Sequence, residues 1–236
     1  MPTTYIAYQP IVDLEAKKVA GYEALARFGD GVRPDHRLSQ ARSLGILDEI
    51  ELELVEMALA SSSQLPADVW LSVNLSAAVL VSHPELSGIT GSAGRQIVLE
   101  ITEHEPINDY ALVRSAIASL MGEPQLSVDD AGAGYASLRH IFELSPSYVK
   151  LDREWVTGIE SDPIRQSLVN AMVTFSKKSG AKLIAEGIET IAELETLIAA
   201  GVNFGQGYLL GTPTKAPCDS SDQIMSRLGS TLNWLN

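Results

Sequence analysis

Short runs of β-forming residues alternate along this chain with longer stretches of helical period, and that alternation does most to narrow its fold. The runs fall near 4–9, 19–25, 69–74, 96–101, 125–129, 147–151, 182–186 and 203–208. Strands separated by helical segments are the signature of βα units feeding a largely parallel sheet. Residues 48–62 place Ile50, Leu54, Met57 and Ala58 on one helical face, and residues 163–178 do the same with Ile164, Leu168, Ala171, Met172 and Phe175. Shorter helices fit 109–121 and 190–200, the second closed by Gly201. Only DLEAKK joins the first two runs. It is too short for a helical crossover, so those two strands should pair antiparallel. With 236 residues, 45% of them apolar, the chain can fill one α/β barrel, and no Gly/Ser/Pro-rich linker divides it. The expectation is a single domain over 1–236, with a core at about 4–215 and a last helix at about 219–234.

Seventeen basic residues against thirty acidic ones give a formal charge of −13, which repels nucleic acid and anionic membrane at long range. Neither a nucleic-acid polymer nor a membrane surface is an expected partner. An anionic ligand is still compatible, because bound cations can outweigh the field of the whole surface at one cleft. Cys218 is the single cysteine, so an intrachain disulfide and a zinc site with several thiolates are both excluded. MPTTYIAYQP has no leader pattern and no uncharged apolar run approaches eighteen residues. The expected location is cytoplasmic, alone or as the cytoplasmic part of a larger protein with an upstream sensor module.

In a parallel barrel, residues that close successive strands meet at one face even when far apart in sequence. Here those residues are strongly biased: GYEALAR supplies Glu23, LSVNLS Asn74, IVLEITE Glu100 and Glu103, LSVDDAG Asp129 and Asp130, YVKLD Lys150 and Asp152, and LIAEGIE Glu186 and Glu189. Clustered anions repel, so something positive must sit among them. Hard oxygen donors without thiolates suit Mg²⁺ or Mn²⁺, and adjacent Asp129 and Asp130 can each serve a different ion. Acids at strand ends also cap following helices, but six strands doing so together is a poorer account of the bias. Lys150 and Asp152, two apart in a strand, should share a face and work as a pair. The same spacing serves a lysine that only balances charge. Gly132 and Gly134 in DDAGAGYASL give a loop that can close over a ligand rather than a dinucleotide fingerprint. His36, His83, His104 and His140 share no metal-ligand spacing and are assigned nothing.

From YQPI near Tyr8 to QGYLLGTP near Gln206, the chain resembles the EAL family of cyclic-di-GMP phosphodiesterases: the motifs SVNLS, LEITE, VDDAGAGYASL, VKLD and AEGIET stand in that family's order, and Glu23, Ala24 and Leu25, followed by Arg27, match its name motif. The resemblance implies a TIM-like (β/α)8 barrel with an antiparallel first strand. It implies that Glu23, Asn74, Glu100, Asp129 and Glu186 hold a first metal ion, with Asp130 completing a two-metal site. By the same resemblance Lys150 is the catalytic lysine, Glu103 steadies the loop after Asp130, Arg27 contacts substrate phosphate, and Glu189 and Gln206 are further substrate-side groups. The implied reaction opens one phosphodiester of cyclic-di-GMP to give linear pGpG with Mg²⁺ or Mn²⁺, Ca²⁺ being inhibitory, and the implied assembly is a homodimer. Ala131, Ala133, Ala136 and Leu210 depart from the family pattern. Those changes keep a second reading open, a weak or inactive module that binds the dinucleotide as a receptor. A third, a barrel enzyme that abstracts a proton beside a carboxylate, also uses strand-end acids and a lysine. The ordered motifs and Asn74 disfavour it.

Overall fold

The chain turns back on itself within four residues after its first strand. Asp13 makes the turn by accepting the backbone N–H groups of Glu15 and Ala16 at 3.0 and 2.7 Å, with Lys17 in the left-handed region. The result is the antiparallel pair β1 (Thr4–Asp13) and β2 (Lys18–Phe28). This computed structural model describes residues 3–101, 107–131, 135–216 and 224, the side chains of 130, 131 and 135–137 aside. After the hairpin come α1 (Pro34–Leu44), α2 (Leu47–Ser61), β3 (Trp70–Asn74), α3 (Ala77–Ser82), α4 (Leu86–Gly91), β4 (Ile97–Ile101) and α5 (Tyr110–Ser119). The second half runs β5 (Gln125–Ala131), α6 (Tyr135–Leu144), β6 (Tyr148–Leu151), α7 (Arg153–Val156), α8 (Pro163–Ser179), β7 (Lys182–Ala185), α9 (Ile191–Ala200) and β8 (Phe204–Gly205). The last helix expected at 219–234 lies outside the described residues, Ile224 excepted.

The eight strands close into a barrel in chain order. β2 to β8 run parallel, and β1 is antiparallel to both its neighbours. The fold is therefore a TIM-like barrel with a reversed first strand. The helices pack their apolar stripes on the outside of the barrel in one continuous core. Among them α9 starts with a reciprocal cap, Thr190 accepting the Glu193 N–H while Glu193 accepts the Thr190 N–H, and ends at Gly201 with φ 87°.

Three expectations are corrected. α8 buries Val169, Met172, Val173 and Ser176, a rotation of the expected stripe that leaves Ile164, in the first turn, 80% exposed. The strand expected at 203–208 is two residues long. Beyond Gly205 the chain bends inward at Gly207, where a Cβ would meet the Ile188 backbone N and O at 2.2 Å. Glu23 does not close its strand, because β2 runs on through Phe28 while its ladder with β3 reaches only to Ala24. The β1–β2 ribbon thus overhangs the rim and carries Arg27 above it.

Inside the barrel the period-2 alternation of strands stacks two layers of opposite chemistry. Ile11, Val98, Tyr148, Ile184 and Phe204 form a dry plug with Trp70 and Ala20 against it. The rings of Trp70, Tyr148 and Phe204 lie 5.2 to 5.8 Å apart. Gly21 makes room for this plug, since a Cβ there would fall 2.2 Å from the Trp70 Nε1. Two residues along the same strands the inward positions become Gln9, Glu23, Ser72, Glu100, Lys150, Glu186 and Gln206.

Candidate active site

Lys150 is the centre of this upper layer. β6 brings its side chain into the barrel, 1% exposed. Its Nζ lies 2.5 Å from Glu186 Oε1, 3.0 Å from Glu100 Oε2, 3.4 Å from Asp129 Oδ1 and 3.5 Å from Glu23 Oε2. Four carboxylates from β2, β4, β5 and the end of β7 therefore converge on one ammonium. The β5–β6 ladder shifts register between Val128 and Ala131, so Asp129 and Asp130 together stand opposite the single Lys150. Such a bulge next to a site re-aims side chains that a regular strand would send to opposite faces.

Neutral groups fix the acids. Ser72 donates to Glu100 Oε1 at 2.5 Å, and Asn74 Nδ2 donates to Glu23 Oε1 at 3.0 Å. Gln206 Nε2 donates to Glu23 Oε2 at 2.6 Å. Sequence reasoning missed Ser72, although its place two residues before Asn74 in LSVNLS puts both on one face of the strand.

The charges do not balance. Burial raises Glu100, and the Glu23 carboxylate adds to it against the pull of Lys150, so its carboxyl is pushed up to about 8. Glu186 also stands well above the usual range, chiefly through burial. Glu23 goes the other way: burial pushes it up, but Lys150 and the Gln206 and Asn74 amides outweigh that and hold it low. Burial alone would depress Lys150, yet Asp129, Glu100, Glu186 and Glu23 carry it well above the usual lysine value. The carboxylates around Lys150 thus favour its charged form.

Among the described residues no three acidic, histidine or cysteine side chains close on one point as a ready metal site. The ammonium occupies that middle ground. The donor set nevertheless fits a hard divalent cation: Glu23, Glu100, Asp129 and Glu186 are oxygen donors, the Asn74 amide adjoins them, and four carboxylates share one ammonium.

The other expected residues are dispersed around this centre. Arg27 on the overhang donates to the Ala26 carbonyl at 2.8 Å and, with Arg33 and Arg42, lines a groove of about 720 Å³ whose floor includes Glu23, Asn74 and Asp129. A smaller cavity of about 290 Å³ holds Lys150, Glu186, Glu189 and Gln206 and shares Glu23, Asp129 and the exposed Tyr208 with the groove. Asp35 and Glu51 line the same groove, and Asp35 pairs with Arg33 at 2.6 Å. Glu189 stands at the cavity edge, 3.9 Å from the Arg153 guanidinium. Asp152 does not pair with Lys150. β6 ends at Leu151, and the Asp152 carboxylate caps α7 by accepting the Glu154 N–H at 2.6 Å. The strand face that would have aligned the two stops one residue short. Asp130's side chain and all of Glu103 lie outside what is described.

A rim of carboxylates around a buried lysine, on a barrel with a reversed first strand, defines a class, and residues 3–213 match the EAL domain: the chain belongs to that family. It is 29% identical over 223 residues to the probable cyclic di-GMP phosphodiesterase PdeN of Escherichia coli, covering 89% of this chain and 43% of PdeN. It is 30% identical to the cyclic di-GMP phosphodiesterase RocR of Pseudomonas aeruginosa over 224 residues, 87% of this chain and 56% of RocR. The chain thus spans about half the length of these relatives. The calcium and cyclic-di-GMP complex of Klebsiella pneumoniae BlrP1 superposes with a TM-score of 0.79 at 30% identity, over 89% of this chain and 56% of that one, and BlrP1 has also been solved with manganese. Among the described residues no helix is long and apolar enough to cross a membrane.

Proposed function

We propose that this domain hydrolyses cyclic-di-GMP to linear pGpG. The observation that carries the reading is Lys150, buried among four carboxylates on the wall of the smaller cavity, which shares Glu23 and Asp129 with the groove that Arg27 lines. The names of the relatives supply the substrate. Glu23, Asn74, Glu100, Asp129, Asp130 and Glu186 are the residues that would hold one or two Mg²⁺ or Mn²⁺ ions. A bound divalent cation supplies Lewis acidity toward a phosphoryl oxygen and makes water acidic enough to attack at neutral pH. Lys150 contributes a fixed positive charge and donor at the place where negative charge builds in the transition state. Arg27 anchors a phosphate from the overhang, and Gln206 and Glu189 border the rest of the ligand. Glu23 joins metal and lysine and so acts in both roles, whereas Asp152 serves by holding the turn after β6. Ca²⁺ is expected to inhibit, its larger and looser coordination misplacing the attacking water.

The test is incubation of the purified protein with cyclic-di-GMP and Mn²⁺, followed by chromatography of the nucleotides. Linear product is expected, and its absence at high enzyme concentration would reject hydrolysis. Tight binding without turnover would instead select the receptor reading left open by Ala131, Ala133 and Ala136. The proposal includes a homodimer, for which exposed Leu112, Leu138 and Phe142 on α5 and α6 offer an apolar face, checked by sedimentation. It also includes a cytoplasmic location, which suits a single-cysteine chain without disulfides, and a sensor module in a longer parent protein, in keeping with relatives about twice this length.

A further inference from the structure

The YQPI motif lies on the one reversed strand and has no part in the reaction as described above. Its Gln9 faces into the barrel, 8% exposed, directly across the hairpin from Glu23. Gln9 Nε2 donates to the Gly211 carbonyl at 3.0 Å. A carbonyl can only accept, so this bond decides which way round the Gln9 amide lies. Gln9 must then turn Oε1 toward Gln206, and Gln206 can answer only with its NH₂. That is the arrangement present: Gln206 Nε2 donates to Gln9 Oε1 at 3.1 Å and to Glu23 Oε2 at 2.6 Å, using both its hydrogens. With Gln206 the other way round, its oxygen would face Glu23 Oε2 and Gln9 Oε1, two acceptors. Gln206 Oε1 is buried and has no hydrogen-bond partner among the described residues, so the pair is satisfied on one side only.

We infer that Gln9 is a positioning residue: anchored on the Gly211 carbonyl, it fixes the polarity of the Gln206 amide and, through it, the place of the Glu23 carboxylate. The chain Gly211–Gln9–Gln206–Glu23 links a backbone carbonyl beyond β8 to the proposed metal and lysine site, along the wall of the smaller cavity that Gln9 also lines. The inference rests on the phosphodiesterase reading for the word catalysis, but its geometric content concerns the metal affinity of Glu23 alone.

The experiment uses Gln9→Met, which keeps length and volume while removing the amide, together with Gln206→Met and the double variant. Mn²⁺ affinity by calorimetry without nucleotide should fall about tenfold or more in Q9M, the range seen when a group that orients a metal ligand is lost. In turnover of cyclic-di-GMP, kcat should fall by a similar factor while KM moves by less than about twofold. Because Gln9 acts through Gln206, adding Q9M to Q206M should cost about nothing more, whereas two independent structural roles would add. Should Q9M melt at room temperature, Gln9→Ala carries the same comparison with space left for water. Unchanged Mn²⁺ affinity and turnover in Q9M, or losses that simply add in the double variant, would overturn the inference. A wild-type protein that binds Mn²⁺ and cuts nothing would refute the hydrolase reading alone, and a weaker Mn²⁺ affinity in Q9M would then still uphold the positioning role.

Discussion

Two layers inside the same barrel, two residues apart on the same strands, do opposite work. Below, Val98, Tyr148, Ile184 and Phe204 close a dry plug. Above, Glu100, Lys150, Glu186 and Gln206 gather charge and amide groups. The two layers differ in side-chain chemistry at one register step, and the upper one also takes in the β5 bulge and the chain just past the ends of β7 and β8. The plug supplies burial, and the rim spends some of that stability on crowded like charges that only a cation relieves.

Substitutions in each layer separate these roles. Lys150→Met should lower turnover of cyclic-di-GMP by about 10²–10³-fold, the range for loss of one donor that stabilises transition-state charge. It also leaves four acids without their ammonium, so in a chelator its melting temperature should drop, and Mn²⁺ should restore more of it than the wild type gains. Equal response of the two proteins to Mn²⁺ would show that the rim charges are not held in check by Lys150. Phe204→Ala acts on the other layer: urea unfolding should report a loss of about 3–5 kcal/mol. Its turnover at a temperature where it stays folded should remain within a few-fold of wild type. A collapse of activity without a stability loss would mean the plug and the rim are not separable.

Gly21→Ala sharpens the same contrast with a smaller change. The added methyl runs into the Trp70 indole, and overpacking of this kind costs about 1–3 kcal/mol, read as an earlier unfolding midpoint with the slope unchanged. The smallest effect lies outside both layers. His83 is raised by its hydrogen bond to Glu85 at 2.9 Å, with Asp48 at 3.8 Å adding to it. A raised histidine contributes stability that is fully present below its ordinary value near 6.5 and is lost as pH climbs through the raised one. Between pH 6 and 8 that loss should stay below about 1 kcal/mol, as for exposed pairs, and His83→Gln should flatten it.

The barrel was legible because strand and helix periods alternate without interruption, and the reversed first strand because DLEAKK leaves no room for a crossover. The converging acids were legible for the same reason, since Glu100, Asp129 and Glu186 each stand at or within two residues of a strand's end. What escaped depended on pairing partners that no local pattern encodes. Glu23 lies mid-strand because β2 outruns β3. Asp152 left the strand because Leu151 ends it, and a capping role fits its sequence as well as a pairing one. Gln9 went unnoticed since its importance comes from running opposite to every other strand, which sets it beside Gln206 across 197 residues of chain. The short helices α3 and α4, six residues each, are too brief to show a period.

The ladders on both sides of β8 are two residue pairs long, and the seam with β1 is reinforced by the exchange of backbone hydrogen bonds between Tyr8 and Thr214. Few bonds hold this junction, so its amides should exchange with solvent before those of β4 or β6. It is also where the two ends of the barrel's chain meet. A displacement there is passed to the Glu23 carboxylate through two amide side chains, so the seam couples the outside of the barrel to its chemistry.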